Sequence, residues 1–353
     1  MPNQTMLTQP QRVGLLKADI LPHVMFQEVI GKFGLKKPMP RNVGETQIFR
    51  RWLPKGATAA SPNTWNIIPN QHQLSEGETP VAEAITAQDI SVTLVEYGFI
   101  YRWSNRVEDL YEDDVPAEFK KLVGDRMGGL MEMIRWGQLK ACTNVFYPGG
   151  VSTRVAVVAA LSANVLRRVS RSLQLNQAKK ITGILDASDG VGTQPVEAAY
   201  VVICHTDNEF DIRQLAASGS AFIHVSEYGR RQTIHENELG SWENFRFITS
   251  PHLNPTLSVG GAVSSTFLAG GVPGNGALPG DIYSLLVLAE DCFGDVALRG
   301  KNAMKVNSFQ ASAATKEDVL GQRGSIGAQT YFACVRLNDL QMAVIECACT
   351  ALT

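Results

Sequence analysis

The sequence predicts an α+β fold, in which strands and helices follow one another irregularly along the chain. Three observations carry this prediction: two strand-like runs near the N-terminus, one long helical stripe near residues 113–142, and a mixed series of short strands and helices from about residue 151. Alternation with period two is typical of strands, and apolar steps of three and four are typical of a helix face. A chain of 353 residues is long enough to bury a large core and to form more than one compact unit.

The amino-acid composition argues against several classes of function. Charged residues make up 19% of the chain, below the globular average of roughly 25%, which favours a protein that buries surface against other subunits. The formal net charge of -2 argues against nucleic-acid binding through bulk charge. No apolar run is long enough for a transmembrane helix, and the polar start lacks the order of a signal peptide. Six scattered cysteines fit a reducing cytoplasm better than a disulfide framework.

The first 104 residues predict an arm and a long hairpin. Residues 1–40 lack sustained periodicity and contain five prolines, so we expect an extended arm with one short helix near residues 15–29. Gly44–Leu53 and Ile90–Ser104 read as strands. The residues between them have little pattern and cannot form a compact unit alone. We therefore expect neighbouring subunits to support this hairpin.

A long helix follows the hairpin. Apolar residues from Phe119 to Ile134 recur at steps of three and four, which predicts one buried stripe. Gly128 and Gly129 lie in the middle, where we expect a bend or close packing. The segment "TNVFYPGG" ends the helix.

The remainder predicts a mixed domain. "SANVLRRVSRSLQLNQAKKI" reads as a helix capped by Ser162, and "AYVVICH" reads as a buried strand followed by a helix. "GSWENFRFITSP" and "YSLLVLAEDCFGDVAL" read as strands around turns, and "VGGAVSSTFLAGGVPGNGALPGD" reads as a long exposed loop.

Motifs for catalysis or cofactors are largely missing, so we predict no enzyme, no cofactor and no metal. Cys204 and His205 are adjacent on a strand and point to opposite faces. A cysteine-dependent hydrolase would need a distant histidine such as His224 or His235. The Gly-rich loop lacks the features of a phosphate-binding loop, and residues 186–197 fail two requirements of a calcium loop.

Five motifs in order carry a resemblance to a known family. They are "VGETQIFRRW", "ITAQDISVTLVEYGFIYRWS", "KACTNVFYPGG", "ENELGSWENFRFITSP" and "QRGSIGAQTYFACVRL". Together they span roughly residues 41–340, and in this order the chain resembles the major capsid proteins of tailed phages of the N-four type, which have the HK-97-type coat fold.

The resemblance implies a division of the chain. An N-terminal arm would occupy residues 1–40, an extended loop with its flanking strands 41–104, and a peripheral domain with a spine helix 105–154. An axial domain would occupy 155–300, and the chain would return to the peripheral domain over 301–353. Gly321–Gly327 would be the hinge between the two domains.

The resemblance also implies partners and contact residues. The chain would assemble with itself into hexamers and pentamers of an icosahedral phage head, built in the host bacterial cytoplasm. Separate scaffolding, portal and decoration proteins would join it, with weak non-specific contact to packaged double-stranded DNA and no membrane. We predict that Arg50, Arg51, Trp52, Trp65 and Arg323 contact neighbouring subunits. A shell protein of a cellular encapsulin-like nanocompartment, or a hydrolase using Cys204, are the alternatives.

Overall fold

The computed structural model describes residues 28–352, apart from residues 60, 66, 75, 78, 80–81, 111–114, 183–197, 218–219, 229–232, 277, 299–303 and 312–318. Residues 1–27 of the predicted arm, and the turn at residues 186–197, lie outside this description. Within it, the chain is a mixture of helices and strands, as the sequence predicted.

Besides short 3-10 turns, four α-helices lie in the described residues: α1 (Asn105–Leu110), α2 (Val115–Lys140), α3 (Ala163–Leu175) and α4 (Glu209–Arg213). In chain order, the strands are β1 (Leu35–Lys36), β2 (Thr46–Leu53), β3 (Thr86–Thr93), β4 (Val95–Ser104), β5 (Val145–Phe146), β6 (Tyr200–Cys204), β7 (Ala216–Ala217), β8 (Ser220–Ala221), β9 (Ile223–His224), β10 (Glu238–Trp242), β11 (Phe245–Thr249), β12 (Leu268–Ala269), β13 (Val272–Pro273), β14 (Tyr283–Leu288), β15 (Phe293–Ala297), β16 (Met304–Phe309), β17 (Arg323–Arg336) and β18 (Met342–Cys347).

A seven-stranded sheet forms one half of the body, in the order β5-β18-β14-β6-β11-β10-β9. Every residue of β6, β14 and β18 is buried, because apolar layers cover both faces of the sheet. Val201 and Ile203 of β6 face the layer that contains Trp136 of α2. The intervening residues of β6 face the layer that contains α3. The predicted buried strand at Ala199–His205 is therefore confirmed as β6, and coverage of both faces of the sheet is the reason.

A five-stranded sheet forms the other half, and its central strand is β17. β17 pairs with β4 along one edge, and with β15 and β16 along the other. Ile326 and Ala328 of β17 pack against Val123 and Met127 of α2. Because α2 also contacts the seven-stranded sheet through Trp136, this one helix connects both halves.

Helix α2 confirms the predicted long helix. Its 26 residues give a length of roughly 39 Å at 1.5 Å per residue. The helix continues through Gly128 and Gly129 without interruption. Ser162 stands at the N-cap of α3, but its side chain makes no capping hydrogen bond. Its carbonyl oxygen instead accepts from the N–H groups of Val165 and Leu166.

The predicted hairpin is present, with one difference. β2 and β3 pair antiparallel over eight residues, and β3 is followed by β4, which enters the five-stranded sheet. The run Ile90–Ser104 was read as a single strand, but it divides at Leu94. The division arises because β3 and β4 have different partners, which residue patterns do not show.

Two further expectations change in the structure. The end of the predicted arm packs on the chain's own body, since Val29 and Ile30 are fully buried and β1 pairs with β15. Gly321 has a φ of +63°, which favours glycine. The strand β17 nevertheless begins at Arg323, so Gly324 and Gly327 lie inside it and not in a hinge.

The Gly-rich loop is more ordered than we predicted. It contains the small hairpin β12–β13. The buried Asp281 carboxylate accepts hydrogen bonds from the backbone N–H groups of Ser258, Gly270 and Gly271 at 2.7–2.8 Å. One carboxylate therefore organises two turns that look featureless in the sequence.

Candidate assembly surfaces

The hairpin β2–β3 is stiffened by polar pairs across its two strands. Arg50 lies directly opposite Asp89, and its Nε and Nη2 atoms donate to the two carboxylate oxygens at 2.7 and 2.8 Å. Arg51 lies opposite Gln88 and donates to its side-chain oxygen at 2.9 and 2.6 Å. The hydrogen bond from Arg50 lowers the pKa of Asp89. Directly opposite pairs stabilise a two-stranded ladder, so these arginines hold the hairpin's shape.

The hairpin exposes an unusual amount of apolar surface. Its large apolar side chains that are more than half exposed are Ile48, Trp52, Trp65, Ile67, Leu74 and Ile85. Trp52 keeps 67% and Trp65 58% of its surface in contact with solvent. Single exposed apolar residues are ordinary, but a concentration of them marks a surface that contacts another molecule.

The loop between β2 and β3 touches the chain's own body at Pro62 and Asn63. Pro62 is buried, and the side-chain amide of Asn63 donates to the backbone oxygen of Asn176 at 2.8 Å. The side chain of Asn338 donates to the Asn63 side-chain oxygen at 3.2 Å. These residues form part of the wall of a concave groove between the hairpin and the body.

The groove brings together four of the five predicted contact residues. Its wall includes Arg50, Arg51, Trp52 and Trp65. Arg323 is exposed at the start of β17, opposite Ser104 of β4, and it does not line the groove. The sequence prediction that these residues contact a neighbouring subunit stays a prediction.

A buried ionic cluster, which the sequence analysis missed, fixes the start of the described chain to the body. The Glu132 carboxylate accepts from the N–H groups of Val29 at 2.9 Å and Ile30 at 2.6 Å. Arg135, one helical turn later, donates through Nε to Asp295 of β15 at 2.7 Å and contacts Glu132 at 3.3 Å. The available signal was the placement of Glu132 and Arg135 among the apolar residues of α2.

Burial affects the pKa of a carboxyl group in this cluster. Glu132, Arg135 and Asp295 expose between 0 and 5% of their surface. Desolvation raises the pKa of Asp295 above its ordinary value, although Arg135 acts in the opposite direction. Three charged groups can remain buried here because each lies beside an opposite charge.

The cysteines do not have the properties of a nucleophile. All six are reduced and buried. Burial raises the pKa of Cys142 to about 11 and of Cys292 to about 12. Cys204 is fully buried, its thiol donates to the backbone oxygen of Ile248 at 3.4 Å, and burial strongly raises its pKa. A catalytic cysteine needs a lowered pKa and access, so these facts argue against the hydrolase alternative.

Neither a metal site nor a membrane-spanning helix is found within the described residues. Those residues hold no group of three or more side chains that could bind a metal ion. The helices in the same part of the chain are all too short or too polar to cross a bilayer.

Comparisons with known proteins identify the fold. No protein-family model and no curated protein matches the sequence. The structure is similar to the capsid of Ralstonia phage GP4, with a TM-score of 0.67 and 11% identity over 100% of both chains. It is similar to the capsid of cyanophage Pam1, with a TM-score of 0.60 and 11% identity over 98% of both chains.

An encapsulin is also similar. The SrpI encapsulin of Synechococcus elongatus PCC 7942 has a TM-score of 0.51 and 10% identity, covering 94% of this chain and 92% of the other. Identities this low establish the fold alone. The chain therefore has the HK-97-type fold that its motifs predicted.

Proposed function

We propose that this chain is the major capsid protein of a tailed bacteriophage of the N-four type. It assembles into hexamers and pentamers that close into an icosahedral head around double-stranded DNA. The single observation that carries the proposal is the apolar hairpin on an HK-97-type body. Its exposed tryptophans and aliphatic side chains are unsuited to a monomer in water.

Assembly gains free energy from the hairpin. Burying the exposed part of each large apolar side chain gains about 1–2 kcal/mol before the cost of ordering. Several such contacts in each subunit, repeated in a closed symmetric shell, make a stable wall from individually weak interfaces. The polar pairs at Arg50 and Arg51 keep the two strands together, so less flexibility is lost when the hairpin contacts a neighbour.

The division of the chain is part of the proposal. The peripheral domain is residues 105–154 with α1 and α2, the axial domain is residues 155–300 with α3 and α4, and residues 301–353 return to the peripheral domain. Three strands cross this division: β5 and β18 lie in the seven-stranded sheet, and β15 lies in the five-stranded sheet. The hairpin is the extended loop, and Trp52, Trp65 and Arg323 contact adjacent subunits. Portal, scaffolding and decoration proteins are the further partners, and assembly takes place in the bacterial host before release in the virion.

Microscopy of the purified protein tests the proposal. We expect gel filtration and negative staining of the full chain to show closed shells or rings of five and six subunits. We expect Trp52→Ser combined with Trp65→Ser to reduce assembly at least tenfold while leaving secondary structure unchanged. Leu257→Ser combined with Val272→Ser is the matched control, because both residues are more than half exposed outside the hairpin.

Two results would contradict the proposal. One is a wild-type chain that remains monomeric at every salt concentration and in the presence of a scaffolding protein. The other is equal loss of assembly in the hairpin variant and the control, which would remove the hairpin from the mechanism. The content of the purified particles distinguishes a phage head from the nanocompartment alternative. Nuclease-protected DNA supports a phage head, and a co-purifying enzyme supports a shell that holds cargo.

A further inference from the structure

Charge is distributed unevenly along the chain. Residues 133–185 contain eight Lys or Arg and no Asp or Glu. The whole chain carries 34 acidic residues among 353, so an acid-free run of this length is a marked departure from its average. A near-zero net charge therefore conceals a strongly basic segment.

Five of these cations lie on helix α3 or directly after it, and we call them the basic ridge: Arg167, Arg168, Arg171, Lys179 and Lys180. The opposite face of α3 is buried in the core, so the arginines stand on its solvent side. Lys179 and Lys180 follow just beyond the C-terminal end of the helix. Helix α3 is about 20 Å long at 1.5 Å per residue.

Aromatic rings orient the ridge. The Arg167 guanidinium lies 5.5 Å from the ring centre of Trp242, and that of Arg168 lies 5.7 Å from Phe146. Stacked guanidinium groups lose less freedom when they bind, and their planar forks fit phosphate oxygens. These two arginines of the ridge are therefore pre-oriented to bind a polyanion.

The ridge is only slightly neutralised within the chain. Among the described residues, Glu243 is the carboxylate that pairs with it, through Arg167 at 2.5–3.0 Å. Lys180 donates to the side-chain oxygen of Asn244 at 2.7 Å, which removes no charge.

A second copy of the chain is a weaker candidate for the partner. Several exposed or half-exposed carboxylates already pair with cations of their own chain: Asp89, Glu83, Glu118 and Glu209. The exposed carboxylates outside these pairs, such as Glu76, Glu227 and Glu290, lie on separate loops and turns, whereas duplex DNA carries one phosphate charge for about every 1.7 Å of its axis.

We infer that the basic ridge binds the phosphate backbone of double-stranded DNA without sequence preference. This inference rests on the proposed function. It places the ridge on the inner side of the shell, where the ridge contacts the enclosed genome. Lys and Arg aligned on one face form the electrostatic footprint of such binding, and backbone phosphates supply its affinity.

Fluorescence anisotropy with a labelled 30-base-pair duplex tests the inference on the unassembled full chain. The ridge variant is Arg168→Gln, Arg171→Gln and Lys179→Gln, which leaves the Arg167–Glu243 pair in place. The control is Lys36→Gln, Arg41→Gln and Arg106→Gln, which removes three exposed cations from elsewhere. Both variants lose the same charge.

We expect the ridge variant to lose at least tenfold in affinity at 0.1 M salt, and the control to lose less than threefold. The slope of log Kobs against log salt should become shallower by about 2.7, at 0.9 for each lost phosphate contact. Equal losses in both variants, or a wild-type affinity that does not depend on salt, would overturn the inference.

Shell formation separates this inference from the proposed function. A ridge variant that forms normal shells and binds DNA like the wild type contradicts the inference alone. A ridge variant that fails to form shells but retains DNA affinity shows that the ridge contacts another subunit, which also overturns the inference. A wild-type chain that never forms shells contradicts the proposed function, whatever the DNA measurement shows.

Discussion

Replacing Arg135 by Met tests whether the buried ionic cluster holds α2, β15 and the start of the described chain together. The side chain is 5% exposed and donates to Asp295, while contacting Glu132 on the same helix. Met has a similar length and no charge. The substitution therefore leaves two carboxylates buried without their cation.

The loss of folding stability depends on how those two carboxylates respond when the cation is removed. Removing one member of a buried ion pair typically costs about 3–5 kcal/mol. Asp295 can escape part of this cost by binding a proton. From an ordinary pKa of about 3.9, protonation at pH 7 costs about 4 kcal/mol, and at pH 5 about 1.5 kcal/mol. The destabilisation should therefore be about 3–5 kcal/mol at pH 7 and smaller at pH 5.

The direction of this pH dependence agrees with the raised pKa of Asp295. Burial already raises that pKa in the wild-type protein, and loss of Arg135 raises it further. A group with a raised pKa in the folded state contributes stability that is present at low pH and lost as pH rises through that pKa. Acid should therefore rescue the variant relative to the wild type.

Thermal unfolding of the unassembled subunit, followed by circular dichroism, measures the effect. At roughly 2 °C per kcal/mol for a chain of this size, we expect the Tm to fall by about 6–10 °C at pH 7. The double variant Arg135→Met, Asp295→Asn should recover part of that fall. Arg126→Met on the exposed side of the same helix is the control, with an expected cost of about 1 kcal/mol or less.

Two results would refute the reasoning. A fall in Tm of less than about 2 °C at pH 7 would show that the cluster contributes little. A fall that is equal at pH 5 and pH 7 would show that the cost arises from packing rather than from an unpaired carboxylate.

Three further predictions follow from burial, close approach and titration. Ellman's reagent should modify fewer than one thiol per native chain and all six after denaturation, because every cysteine is buried. Gly324→Ala should cost about 1–3 kcal/mol, since its Cβ would lie 2.2 Å from the Trp103 ring. Gly327→Ala, whose nearest contact is 3.2 Å, should cost less, as urea unfolding would show. Burial lowers the pKa of His235. The contribution of the neutral imidazole to folding stability should therefore be present above about pH 6.5 and lost as the pH falls below it. The substitution His235→Asn should flatten this part of the curve of Tm against pH.

Each of these also has a contrary outcome. Rapid modification of a native thiol would return Cys204 to consideration as a nucleophile. Equal costs at Gly324 and Gly327 would contradict the packing against Trp103. A His235→Asn variant with the wild-type pH profile would assign the acid sensitivity to another group.

Local patterns in the sequence were sufficient for the elements and for the fold class. The apolar stripe of α2, the buried runs that became β6 and β14, and the alternation in β2 depend on neighbours within one helix or strand. Those signals are repeated every two to four residues, so they can be read without a partner. The order of five motifs added the HK-97-type fold, which the structural comparisons confirmed.

The tertiary structure decided what depends on residues far apart in the chain. Only the fold could bring Arg135 to Asp295 across 160 positions, or place Asp281 beneath two turns of the Gly-rich loop. It also divided Ile90–Ser104 at Leu94 and placed Gly324 inside β17. The physical reason is that a pairing partner or a buried counter-charge leaves no periodic trace in the sequence. For the same reason, only the fold could gather Arg50, Arg51, Trp52 and Trp65 at one groove, because this depends on the pairing of β2 with β3 and on the contact of Asn63 with Asn176.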